Sequence, residues 1–171
     1  MALTVVVDER DNVTGYRERE TYGPGDNYRI TILCVFNMKG QVLLAQRSPN
    51  KKRDAGRWSP AAGGTVEQGE TYESNIYKEA EEELGISGVE FHEGPNLYAA
   101  DIGNGAGYFC QTYYVYLEEP AESFVLQSEE VAAVKWVDIE RLELHARTHP
   151  EQYTINFADS LEAVREFMHG G

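Results

Sequence analysis

The stretch Ile30-Thr31-Ile32-Leu33-Cys34-Val35-Phe36 constrains the fold most, because it is apolar on both of its alternating faces. A strand of that kind belongs at the centre of a sheet with a covering layer on each side. The remaining pattern supplies the layers. Thr71 to Leu84 predicts a helix, with Thr71 as N-cap and Gly85 where a left-handed C-cap glycine belongs. Two further helices are predicted at about Ile139 to Ala146 and about Phe157 to Met168. In the latter, Phe157, Leu161, Val164 and Met168 share one face. Strands with helices on both sides predict an α/β class fold, an α/β/α sandwich around a mixed β-sheet.

The other strands follow from alternation and turn residues. Thr4–Val7 and Val13–Arg19 predict an N-terminal hairpin turned at Asp11-Asn12, with the turn cluster Tyr22–Asn27 after it. Met38-Lys39-Gly40 leads into Val42–Ala45, a hairpin partner for the central strand. From Ser48 to Gly64 the chain is loop-like. Strands are predicted at Leu97–Ile102, Tyr108–Leu117 and Val131–Val137, with Gly103–Gly107 as the loop between the first two. At 171 residues, with no repeat and no linker, one domain over 1–171 is expected.

Charge narrows the partners. Against 15 Lys+Arg stand 29 Asp+Glu, a net charge of −14, which repels nucleic acid and anionic lipid. No apolar run is long enough for a membrane span, and the start lacks a charged region followed by an apolar stretch. Cys34 and Cys110 are too few for a disulfide framework and lack zinc-site spacing. A soluble, cytoplasmic protein acting on a small molecule is expected.

One helix breaks local rules. Glu79, Glu81, Glu82 and Glu83 crowd the last turn of the Thr71–Leu84 helix, where the macrodipole favours cations and like charges at i,i+3 and i,i+4 repel. Glu79, Glu82 and Glu83 fall within an arc of roughly 100° beside the apolar face of Ile76, Tyr77, Ala80 and Leu84. Two readings of this run are open: a solvated acidic helix end, or three hard oxygen ligands for Mg²⁺ or Mn²⁺, whose binding would remove both penalties.

The segment Gly64-Thr65-Val66-Glu67-Gln68-Gly69-Glu70, seven residues, then Lys78-Glu79-Ala80-Glu81-Glu82-Glu83-Leu84-Gly85-Ile86 resembles the Nudix box, G-x5-E-x7-R-E-U-x-E-E-x-G-U, where U is aliphatic. Six Gly and Glu identities at these spacings arise by chance about 10⁻⁷ times per starting position. Val7-Asp8-Glu9, Leu44–Ser48 and Gly56-Arg57-Trp58 are similar to the branch related to isopentenyl-diphosphate isomerase, which also contains pyrophosphohydrolases. The box arginine is Lys78 here, which keeps the charge and loses the planar fork.

The resemblance implies the Nudix fold and Mg²⁺-dependent (or Mn²⁺-dependent) hydrolysis of a nucleoside diphosphate derivative by water attack on phosphorus. Glu79, Glu82, Glu83 and the Gly63 carbonyl would hold metal, Glu79 or Glu82 would also deprotonate the water, and Glu70 would orient Lys78. A homodimer is implied by many relatives. An extra acid from outside the box is drawn from Glu129 and Glu130, which are equally readable as surface acids. Arg47, Lys51 and Arg57, in a basic stretch with Lys52 and Arg53, are candidates for phosphate oxygens. Tyr98, Phe109, Tyr113, Tyr114 and Tyr116 offer stacking faces for a base or core packing. His92, His145, His149 and His169 are assigned to structure or surface. Two alternatives remain beside the hydrolase. An isomerase of the related branch uses a cysteine just before the box, where Trp58–Gly63 has none. A silent nucleotide-binding module would draw support from Lys78.

Overall fold

The central strand is longer than its apolar run and holds the molecule together along both edges and both faces. The computed structural model describes residues 2–19, 21–100 and 105–170. β1 (Leu3–Val7) and β2 (Val13–Glu18) form the N-terminal hairpin, and β3 (Asn27–Phe36) is the central strand. β4 (Gln41–Arg47), β5 (Trp58–Pro60) and β6 (Ala62–Thr65) follow, then α1 (Tyr72–Leu84). β7 (His92–Ala100), β8 (Gly107–Tyr116) and β9 (Val131–Asp138) come next, and α2 (Ile139–Thr148) and α3 (Phe157–Met168) finish the fold. No helix among the described residues is long and apolar enough to cross a membrane. Ile102 and the Gly103-Asn104 part of the predicted loop lie outside the described residues.

β3 pairs in parallel with β8 along its whole length, Asn27 opposite Gly107 through Phe36 opposite Tyr116. Its other edge is shared by three antiparallel strands: β1 at Tyr28, β6 from Ile30 to Leu33, and β4 at Phe36. The expected β3–β4 hairpin is therefore a single rung. β6 occupies the edge that β4 would need, so β4 turns away and pairs with β9 along Gln41–Arg47 and with β5. The turn itself is built as predicted: Asn37 Oδ1 accepts from the amides of Lys39 and Gln41, both at 3.0 Å.

The loop predicted over Ser48–Gly64 contains β5 and β6. Their Pro and Gly residues signal a turn in isolation, but a strand can use glycine where another backbone approaches. A Cβ on Gly63 would collide with the Thr31 carbonyl oxygen of β3.

Burial alternates along β3 and β4. Leu33, Val35, Leu43 and Ala45 pack under Ile76, Ala80 and Leu84 of α1. Cys34, Phe36, Val42 and Leu44 pack under Leu142 and Ala146 of α2 and Phe157, Leu161 and Val164 of α3. The predicted sandwich around a mixed sheet is the observed architecture.

α1 starts with a reciprocal cap. Thr71 Oγ1 accepts from the Ser74 amide at 3.1 Å, and Ser74 Oγ accepts from the Thr71 amide at 2.9 Å. Gly85 closes it at φ 68°, donating to the Glu81 carbonyl at 2.9 Å. A 13-residue helix is marginal alone in water. Complete burial of Ile76 and Leu84, about 1.5–3 kcal/mol each, fixes its position on the sheet. The N-terminal hairpin is tied to this helix through Asp11, which accepts from Arg29 Nε at 2.7 Å and from the Tyr72 hydroxyl at 2.8 Å.

Candidate active site at the end of α1

The last two turns of α1 and the strand β6 wall one side of a cavity of about 430 Å³. Glu79, Glu82, Glu83 and Lys78 reach it from the helix, and Gly63 and Gly64 from the strand. Because β6 pairs with β3, it brings the backbone of the two glycines under the carboxylates. Glu82 is exposed, whereas Glu79 and Glu83 are partly buried.

Glu79 lies directly against Gly64: a Cβ there would sit 2.5 Å from the Glu79 Cδ. The Glu79 Oε1 is 3.5 Å from Asn75 Nδ2 and 3.6 Å from Lys78 Nζ. Burial pushes the Glu79 carboxyl up to about 7; the Lys78 charge opposes this, and the charges of Glu82, Glu70 and Glu67 add to it. Glu83 accepts from the Gly63 amide at 3.4 Å. Burial, and then the Glu79 charge, push its carboxyl up to about 8 against that weak bond.

Lys78 contacts three carboxylates, Glu70 at 2.5 Å, Glu79 at 3.6 Å and Glu67 at 3.7 Å. Burial alone would lower its pKa, but the Glu70 bond and the neighbouring negative charges outweigh burial and raise it. Burial likewise works to raise Glu70, yet the bonds from Lys78, the Glu67 amide and Asn75 hold it below the usual carboxylate range.

Among the described residues, no three acidic, histidine or cysteine side chains are gathered into a ready-made metal cage. Glu79 and Glu83 direct oxygens to the chain's own donors. The donor chemistry nevertheless fits a hard divalent cation: three carboxylates on one helix end, two of them desolvated and mutually repelling. A cation among them would favour the charged form of each carboxylate and so offset both burial and the neighbouring charges.

That strain gives a testable pH dependence. The unfolded chain releases the Glu79 and Glu83 protons near the ordinary 4.5, and the fold holds them to about 7 and about 8. Between those limits the native state binds more protons, so these two groups withdraw stability as pH rises from 4.5 to 8. Thermal melts in EDTA should therefore show a Glu79→Gln/Glu83→Gln double variant gaining on the wild type as pH rises through that window. A difference that is flat or of opposite sign would contradict the buried repulsion.

Cations from outside the helix line the same cavity. Arg47 and Lys51 line the cavity, and Lys51 Nζ pairs with Glu130 Oε2 at 2.5 Å. Of the two acids considered from outside the box, Glu130 lines the cavity and Glu129 is exposed without lining it. Arg57 lies in an adjoining cavity of about 780 Å³, paired with Asp54 at 3.1 Å. The two cavities share Arg53, Tyr28, Tyr108 and Phe157.

Sequence pattern named other aromatics. Tyr98, Phe109, Tyr113, Tyr114 and Tyr116 do not line either cavity, and Tyr113 is buried in the core beneath α1. The rings at the cavity are Phe157, Tyr28, with Tyr22 stacked on it at 4.6 Å, and Tyr108, 5.7 Å from Tyr28. Parallel pairing of Tyr28 with Tyr108 creates this wall, so no local pattern announces it. Cys110 lines the cavity for the same reason, and burial pushes its thiol up to about 12. Two histidines assigned to structure or surface are neighbours: His145 and His149 stack at 4.3 Å on α2 and its C-cap, and His145 Nδ1 meets the Tyr153 hydroxyl at 2.7 Å. The i,i+4 spacing contained that signal. Asn75, fully buried and bonded to Glu70, was also missed; its only mark was an asparagine on the arc of Glu79 and Glu82 rather than among the apolar positions.

The profile of the NUDIX domain family matches residues 27–157. An uncharacterized Nudix hydrolase of Pseudomonas aeruginosa is 30% identical, with 97% of this chain and 93% of that protein covered. A prenyl-diphosphate phosphatase of Methanosarcina mazei is 31% identical, with 86% of each chain covered. Among solved structures, DR0079 of Deinococcus radiodurans superposes with a TM-score of 0.81 at 21% identity, covering 95% of this chain and 98% of that one. Nudix hydrolases cleave pyrophosphate bonds of small molecules and generally use divalent metal ions. With its box helix, its doubly covered central strand and this family match across most of its length, the chain belongs to the Nudix hydrolase family.

Proposed function

We propose that the protein is a Mg²⁺-dependent pyrophosphohydrolase that cleaves a nucleoside di- or triphosphate, or another nucleoside diphosphate derivative. The observation that carries this reading is one cavity lined both by Glu79, Glu82 and Glu83 and by Arg47 and Lys51. A diphosphate needs cations against its charge, and the water that attacks it needs a base. Glu79, Glu82 and Glu83, with the Gly63 carbonyl, would hold the metal. When bound, it neutralises the diphosphate and acidifies water.

The chain's own groups do the rest. Arg47 and Lys51 receive phosphate oxygens, Lys51 exchanging its bond to Glu130 for one to substrate. Lys78, oriented by Glu70, holds the Glu79 side chain towards the cavity. Glu79 or Glu82 takes the proton of the attacking water. Arg57 reaches the leaving half of a substrate that extends into the adjoining cavity, and the rings of Tyr28 and Tyr108 offer it a stacking face.

A second substrate class is favoured by one specific finding, the 31% identity to a prenyl-diphosphate phosphatase. The same carboxylates and cations would serve a diphosphate whose tail is an isoprenoid lying on Tyr28, Tyr108 and Phe157. Product release measured on nucleoside di- and triphosphates, nucleotide sugars and prenyl diphosphates, with and without Mg²⁺, decides between them. Metal-dependent turnover of a nucleotide supports the first reading; turnover confined to prenyl diphosphates replaces it with the second. Silence across the panel from folded protein would return weight to an isomerase or a silent binder.

A further inference from the structure

We propose that Asn75 is a positioning residue of the active site, sharing with Lys78 the two-point grip on Glu70 and Glu79 that a single planar guanidinium would otherwise provide. The inference rests on the hydrolase reading of the site. Asn75 is fully buried on α1 next to Ile76, a place where an amide is costly unless each polar atom is matched. Its Oδ1 accepts from the buried Thr31 hydroxyl at 2.5 Å. Its Nδ2 donates to the Thr65 carbonyl at 3.1 Å and to Glu70 Oε2 at 2.9 Å, and lies 3.5 Å from Glu79 Oε1. Three oxygen acceptors surround that atom, so the amide has only one satisfactory orientation.

Thr31 and Thr65 take the amide oxygen and one of the two amide hydrogens, leaving the second hydrogen to the carboxylates. Here the amide group is wedged between the two carboxylates that also flank Lys78. The ammonium contacts Glu70 Oε1 at 2.5 Å, leaving Glu70 Oε2 to Asn75 and the Glu67 amide, the latter at 2.9 Å. Glu79 Oε1 sees both donors at nearly equal range. An ammonium is a point charge and cannot fix a carboxylate plane by itself. A rigid amide approaching from the buried side supplies the second point on Glu70 and a second donor to the Glu79 oxygen that Lys78 faces.

The test is a set of variants read by kcat, KM and Mn²⁺ affinity. Asn75→Ala should lower kcat by about 10–100-fold, the usual effect of removing a group that orients a ligand, with KM little changed. Mn²⁺ binding followed by electron paramagnetic resonance should weaken about tenfold or more in the same variant. Lys78→Arg should restore most of both losses in the Asn75→Ala background, because a guanidinium brings its own fork. Thr31→Val removes the structural half of the amide's bonding and leaves the carboxylates alone; it should lower the melting temperature and keep kcat. If Asn75→Ala does not fold, Asn75→Ser, too short to reach the carboxylates, replaces it with the same expectations.

Unchanged kcat and Mn²⁺ affinity in the Asn75 variant would overturn the proposal, as would failure of Lys78→Arg to rescue it. Equal loss of kcat in Thr31→Val would reduce Asn75 to packing. Wild-type protein that neither binds Mn²⁺ nor turns over any diphosphate would overturn the reading of the whole site, a result distinct from either.

Discussion

Glu83→Gln is expected to lower metal-dependent turnover by about 10²–10³-fold while making the metal-free protein more stable at pH 9. The activity loss is of the size seen when one preorganised charge is removed from an active site. The stability gain follows from burial and the adjacent Glu79, which push the Glu83 carboxyl up to about 8. At pH 9 the native state must hold that charge desolvated. Glutamine has the same shape, is neutral, and can still accept from the Gly63 amide. The gain should be about 0.5–2 kcal/mol, on the scale of relieving strain at a functional site. It should vanish at pH 4, where both native and unfolded glutamates carry the proton. Parallel melts in EDTA and steady-state assays with Mg²⁺ check both halves. Wild-type turnover would remove Glu83 from the metal set, and a loss of stability at pH 9 would contradict the desolvated charge.

The second large effect separates two adjacent glycines. Gly64→Ala should reduce kcat by about 10²-fold and leave the melting temperature within a few degrees of wild type. Its new methyl meets only the far end of Glu79, which swings aside; a displacement near 1 Å at a reacting group has that consequence. Gly63→Ala should instead destabilise the fold by about 1–3 kcal/mol, the range for overpacking. Its methyl meets the Thr31 carbonyl of β3, and a backbone atom held in a strand ladder cannot move away alone. Equal melting temperatures for the two variants would contradict this division, as would full activity in Gly64→Ala. Neither residue has a positive φ, so space rather than backbone freedom explains both.

The parts legible in the sequence are those that a short stretch of chain determines alone. Thr71 and Gly85 mark the ends of α1 through local hydrogen bonds, and helical spacing places Glu79, Glu82 and Glu83 on one side of it. The doubly apolar run identified the central strand, and the two C-terminal helices fall within two residues of their expected ends. What escaped depends on partners far apart in the chain. The single-rung contact between β3 and β4 results from competition by β6, which a local reading of Ala62–Thr65 takes for loop. Tyr28, Tyr108 and Cys110 meet the cavity because a parallel ladder sets residues 80 apart side by side. Asn75 acquires meaning only when Thr31 and Glu70 arrive on either side of it.

The alternation along β3 also bears on how such a molecule can be altered by inheritance. Its odd-numbered residues Leu33 and Val35 pack beneath the helix that carries the carboxylates. Its even-numbered residues, Tyr28, Ile30 and Ile32, form the floor on which a ligand would lie. Changes to the two sets should combine nearly additively wherever the side chains share no contacts. On the proposed hydrolase reading, selection would exchange one preferred molecule for another through Tyr28, Ile30 and Ile32 while Leu33 and Val35 keep the helix in place. On that reading a single ten-residue strand carries both the floor of the cavity and the seat of the helix beside it.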